Sequence, residues 1–144
     1  MKMQRRACLC RALIGALGVL AASVWLVTSA YAQAATARTS VAVPAVRRGN
    51  VVMLDVSIKA QYKAGGNLGG VVRLQRPGGV AIEVGRFSVF GSGEQSYQFN
   101  VTGVLPELGA GLAQAEVEVQ LLDRISGAPA SGALSISRAE IVTR

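Results

Sequence analysis

Glu116 and Glu118 stand two residues apart in an alternating run, a spacing that places both carboxylates on one face of a strand. Paired carboxylates are the machinery of glycoside hydrolysis, one giving a proton and the other attacking or activating water. A solvated strand face beside Val117 and Val119 has the same pattern, and that plainer reading carries the greater weight. Gly65 to Gly70 has the glycine density of a phosphate-cradling loop, but no Lys-Ser/Thr ending follows and no helix opens behind it. It reads as a flexible turn. Asp55 and Asp123 could offer oxygens to a hard cation, although neither sits in a recognisable binding loop.

The chain has no His, which removes the usual Zn, Cu and non-haem Fe ligands together with the Ser-His and Cys-His nucleophile pairs. Its two cysteines, Cys8 and Cys10, both precede a long apolar run. No metal, cofactor or catalytic residue is therefore expected, and the chain reads as a non-enzyme. Aromatic side chains are the remaining candidates. Phe87, Phe90, Tyr97 and Phe99 cluster in one expected hairpin, where Phe87, Tyr97 and Phe99 would form cross-strand core. Phe90 would be displayed at the turn. With Tyr62 it is the candidate surface contact for a partner protein or a sugar.

Residues 1–11 carry Lys2, Arg5, Arg6 and Arg11, and Ala12 to Val27 is an uncharged run followed by Thr28, Ser29 and Ala30-Tyr31-Ala32. A basic start, an apolar stretch and small residues at Ala30 and Ala32 form a secretory signal, with cleavage expected before Gln33. The apolar run is 16 residues long, short for a membrane-spanning helix, which needs about 20. Cys8 and Cys10 lie on the wrong side of it to be lipidated. Arg5-Arg6 leaves both the general and the twin-arginine export routes open. The product is expected to be periplasmic or secreted, and to meet the membrane only through the signal peptide during export.

Processing at that site would leave 112 of the 144 residues, the size of one domain. It would also remove both cysteines and four of the 15 Lys and Arg, leaving 11 basic against 8 acidic residues and a net charge of +3. The high isoelectric point is thus largely a property of the leader. The only basic doublet left is Arg47-Arg48, so no nucleic-acid surface is expected.

The mature segment is organised by a period of two. Residues 33–49 are rich in Ala, Thr and Ser and read as a flexible leader with at most a short edge strand at Val41 to Val43. The domain is expected over 50–144. Val52, Leu54, Val56, Ile58, Ala60 and Tyr62 alternate with Asp55, Ser57, Lys59 and Gln61, predicting one long strand. A loop from Lys63 to Gly70 and a short strand from Val71 to Gln75 follow. Arg76-Pro77-Gly78-Gly79 predicts a tight hairpin turn. A bulge at Gly85 to Arg86 would bring Val84 and Phe87 onto one face. Tyr97, Phe99 and Val101 define a further strand. Val104, Leu105 and Leu108 behind Thr102 predict a short helix stopped at Gly109. Ala115 to Leu121 and Ala133 to Val142 are the last strands, the latter twisted, bulged or covered on both sides. The expected fold is all-β, an antiparallel β-sandwich or squashed barrel with one short helix.

The order of these elements also carries a likeness. From about Asp55 to Val142 the chain resembles the C-terminal β-domain of tyrosinases and plant polyphenol oxidases. The likeness rests on Gly85-Arg86-Phe87-Ser88-Val89-Phe90-Gly91, on Tyr97-Gln98-Phe99-Asn100-Val101-Thr102 and on Val104-Leu105-Pro106-Glu107-Leu108. The two strands that follow continue it. In that family the oxidase activity belongs to a separate helical domain whose six histidines hold two coppers, and this chain has neither. The resemblance therefore implies a free-standing, non-catalytic accessory module whose partner would be an exported protein, with a tyrosinase-type oxidase the first candidate. A cell-envelope module for carbohydrate or another polymer is the alternative, and a hydrolase using carboxylates alone is the third.

Overall fold

A computed structural model describes residues 34–62 and 66–144. The expected export signal, with Ala30 and Ala32 at its expected cleavage site, lies outside the described residues. Seven strands and one helical turn follow in order: β1 (Thr36–Ala42), β2 (Val52–Gln61), β3 (Leu68–Gln75), β4 (Ile82–Ser88), β5 (Gly93–Asn100), α1 (Leu105–Leu108), β6 (Gln114–Asp123) and β7 (Ala133–Thr143). They form two antiparallel sheets, β1-β6-β3-β4 and β5-β2-β7, packed face to face as an all-β sandwich.

Alternation builds the core directly. Val52, Leu54, Val56, Ile58 and Ala60 of β2 are all buried and meet Leu74, Val117, Val119 and Leu121 from the other sheet, every one of them at most 2% exposed. β7 keeps its apolar side inward by a bulge. Ser57 pairs with Arg138 but Ile58 pairs with Ile136, so Ser137 is the extra residue that brings Leu134 and Ile136 into phase with Ala139 and Ile141.

Only the β3–β4 connection stays within one sheet; the other five cross between sheets. That connection is the expected tight turn, with Gly78 at φ +71° and the Gly79 amide donating to the Arg76 carbonyl at 2.8 Å. β4 and β5, by contrast, are not the hairpin that their aromatic cluster suggested. They lie in different sheets, and Phe87 meets Tyr97 across the interior with ring centroids 4.4 Å apart. The expected bulge is present one residue early. Val72 pairs with Gly85 and Arg73 with Glu83, leaving Val84 unpaired.

Three further details depart from the sequence reading for steric or hydrogen-bonding reasons. Order does not wait for Val51: Thr36–Ala42 is a seven-residue strand paired along β6, its inward side made of Ala37, Thr39 and Val41, residues too small to announce a buried face. Gly69 and Gly70 belong to β3 rather than to a loop, and neither has a positive φ. They are there for packing. A Cβ at position 70 would overlap the Phe87 ring, and one at 69 would lie 2.9 Å from Cγ of Arg124 and 2.8 Å from the Phe87 carbonyl. Thr102, finally, does not cap the helix. Its hydroxyl accepts from the Val52 amide at 2.8 Å, and Val104 takes the cap position without a side-chain bond. Gly109 does end α1, at φ +112°.

Gly70→Ala should cost about 1–3 kcal/mol, as overpacking beside an immobilised ring does. Urea unfolding will show it, with Gly103→Ala as the control, since a Cβ there meets nothing within 4 Å. Equal stability of the two variants would contradict the packing role of Gly70.

Candidate functional site around the Phe90 loop

Strand direction gathers the β2–β3, β4–β5 and β6–β7 connections at one end of the sandwich. The β4–β5 connection is held by side chains on both sides. Gln95 accepts from the Phe90 amide at 3.0 Å and returns its own amide to the Phe90 carbonyl at 2.8 Å, so one side chain satisfies both main-chain groups of Phe90. Tyr97 locks Gln95 in place. Its hydroxyl lies 2.6 Å from Oε1 of Gln95 and 2.7 Å from the Ser88 carbonyl. Burial first, and then the proximity of Tyr62, raise the Tyr97 pKa, so the hydroxyl keeps the proton these contacts need.

The consequence is a fixed loop with a bare ring. Phe90 is 75% exposed, although the backbone carrying it is clamped. Tyr62, the other sequence candidate, donates to the Gly91 carbonyl at 3.3 Å, which brings the two aromatics to the same loop. Neighbouring loops are joined to this one. The carbonyls of Asn67 and Leu68 accept from Arg124 and Val89 at 2.8 and 3.0 Å, stitching the β6–β7 and β4–β5 connections to consecutive residues of the chain entering β3.

Sequence reasoning missed Ile125, 82% exposed at this same end. Its turn is built by Asp123, whose Oδ1 accepts from the amides of Ile125 and Ser126 and from the Ser126 hydroxyl. Those bonds, led by the ones from Ser126, hold the Asp123 carboxyl below its ordinary range. An Asp followed three residues later by Ser was the available signal. A cleft of about 390 Å³ opens beside these loops on the outer face of the larger sheet, floored by Gly69 and walled by Arg86, Ser88, Leu122 and Arg124. A second, of about 430 Å³, lies at the opposite end between the β1–β2 connection and α1. Its one hydroxyl side chain, Thr102, is already bonded to Val52. The loop-end cleft has the richer polar chemistry.

The paired carboxylates Glu116 and Glu118 are engaged elsewhere. Glu116 and Glu118 do share the outer face of the four-stranded sheet. Glu118 accepts from Arg38 and from Arg73, each at 2.8 Å, and Glu116 accepts from Gln75 at 2.9 Å. Burial alone would raise the Glu118 pKa, but bonds and charge from Arg73 and Arg38 outweigh it and hold the carboxyl below its ordinary value of 4.5. A general acid at neutral pH needs the opposite shift. Asp55 faces Gln98 on one side and Glu140 on the other, with Oδ1 buried and without a hydrogen-bond partner. Among the described residues no three His, Cys, Asp or Glu groups are placed to hold a metal, and no helix is long and apolar enough to cross a membrane.

No protein-family model matches the chain, and no curated protein sequence matches it.

Because the Glu118 pKa is lowered in the folded state, its contribution to stability is complete above the ordinary value of 4.5 and is lost as pH falls through the folded value. Glu118→Gln should therefore be clearly less stable than the parent at neutral pH, and the gap should narrow well below pH 4.5. Urea midpoints at the two conditions check this. A gap that stays constant would contradict the assignment.

Proposed function

We propose that the chain is an exported, non-catalytic β-sandwich that binds another protein through the loop end carrying Phe90. One observation carries this reading: a large apolar ring stands in solvent on a backbone that side-chain hydrogen bonds of Tyr62, Gln95 and Tyr97 already hold in place. Binding through such a ring gains apolar burial without the cost of ordering a loop. Tyr62 at the base and Ile125 on the adjoining connection extend the apolar area. Export rests on the signal at residues 1–32, and the accessory role on the likeness to tyrosinase C-terminal domains, which makes a tyrosinase-type oxidase the first partner to try. The chemistry needs no cofactor, and no nucleic acid is part of it.

A second reading has its own support. The cleft beside the loop offers Arg86, Arg124 and Ser88 next to exposed aromatic surface, a combination that suits an envelope carbohydrate or another polymer.

Capture from the host's envelope fraction tests both readings. The parent chain should retain an exported protein, and Phe90→Ala should weaken retention about tenfold or more, the loss usual for an aromatic anchor. Thermal stability should not change, because the ring is mostly in solvent. Co-sedimentation with wall polysaccharide that depends on Phe90 would select the second reading, and retention indifferent to Phe90 in both assays would overturn the loop-end site.

A further inference from the structure

We infer that β1 is an exchangeable strand, and that the groove it fills along β6 accepts the β1 of a second copy of this chain. The inference does not depend on the loop-end reading, since it concerns a different face and the larger sheet's outer edge.

β1 is attached to the body by few large side chains. Among the described residues it closes the sheet at one edge, with β6 as its sole ladder partner over seven register pairs. Of its inward residues Ala37, Thr39 and Val41, only Val41 is buried, joined by Ala35 just ahead of the strand. The edge it covers is different. Val117, Val119 and Leu121 of β6 are fully buried against the other sheet, and β6 needs a strand beside it to pair the main-chain groups along its outer edge. It does not need that strand to come from the same chain.

The connection to β2 has slack. Val43 is tied to the Ala113 carbonyl and Val51 to that of Arg144, while the seven residues between them, Pro44 to Asn50, make a single backbone bond among the described residues, the internal one from Asn50 to Arg47. Residues 45–49 are all exposed. Seven extended residues reach about 23 Å, whereas the crossing from one packed sheet to the other is about 10 Å. The hinge is roughly twice as long as the intramolecular path requires, so β1 can leave its place without disturbing β2; the same slack keeps the closed monomer unstrained, and shortening it shifts the balance toward exchange.

Specificity is built into the strand. Arg38 enters between Glu116 and Glu118, bonding the latter at 2.8 Å and lying 3.8 Å from the former. Thr36 faces Gln120 and Ser40 faces Glu116. A shift of one residue would turn Arg38 inward, so only a strand with this pattern in this register fits. A second copy supplies that pattern by definition. Exchange remakes every ladder bond and both ion pairs, so the two arrangements differ mainly in the hinge and in chain concentration. Reciprocal exchange closes a two-fold dimer.

Two single-cysteine chains test this, each also carrying Cys8→Ser and Cys10→Ser. One bears Ala37→Cys and the other Val119→Cys, positions that face each other across β1 and β6. Each monomer then has one thiol and no partner for it, and Val119 is fully buried. The two chains are mixed, passed through moderate urea, returned to buffer and oxidised. A covalent heterodimer is expected, its share rising with total chain concentration and rising again when Ala45 to Arg48 are deleted. A chain carrying both cysteines should close within itself when dilute, which establishes the register. Absence of heterodimer at every concentration, with the double variant closing normally, would overturn the inference. Failure of the double variant to close at all would overturn it too, because β1 would then not lie on β6 in solution.

Discussion

The contact on which the loop end depends is that of Phe87 with Tyr97. It exists because position 70 has no side chain. Gly70 lets the Phe87 ring lie against β3, and from there the ring reaches across the interior to Tyr97 on the opposite sheet. Once Tyr97 is set, its hydroxyl positions Gln95, and Gln95 holds both main-chain groups of Phe90. A missing methyl group in the middle of one strand thus determines where an exposed ring stands at the end of another. Gly85 plays a similar part on β4, where a Cβ would lie 2.5 Å from the Phe99 ring.

A second ordering device crosses the outer face of the larger sheet. Arg38, Glu118, Arg73 and Glu83 are register neighbours on β1, β6, β3 and β4, so charge alternates across all four strands in one row. Opposite charges directly across a ladder stabilise pairing, and like charges penalise a slipped register. Glu118 is the one buried charged residue among those described, and it is paired on both sides. The row engages Glu118, one of the two carboxylates that suggested hydrolysis, and it gives β1 most of its specific attachment. The remainder of that strand's attachment is backbone pairing and the burial of Val41, which any copy of the strand supplies equally.

Much of this was readable from alternation alone. β2 and β6 are present where the pattern put them, because long apolar side chains on one face leave an unmistakable period, and the turn at Arg76 to Gly79 is where its Pro and Gly residues put it. What escaped detection was built from small residues or from relations between sheets. The inward face of β1 is Ala, Thr and Val; Gly69 and Gly70 resemble a turn until a ring and an arginine stem are laid on them. Periodicity shows which way a side chain points but not which sheet its strand joins, so the aromatic cluster of β4 and β5 looked like a hairpin rather than a crossing. At the candidate site, Phe90 and Tyr62 stood out by type and place. The clamp by Gln95 and the exposure of Ile125 did not, since both depend on contacts made only after folding.

The functional account therefore reduces to a ring displayed on a backbone that is ordered before any partner arrives. Amide hydrogen exchange at Phe90 tests that most directly, because its N–H is bonded to the Gln95 side chain rather than to a sheet. Marked protection in the isolated chain, abolished by Gln95→Ala while β2 amides remain protected, is the predicted result. A Phe90 amide that exchanges as fast as in an unstructured peptide would contradict it.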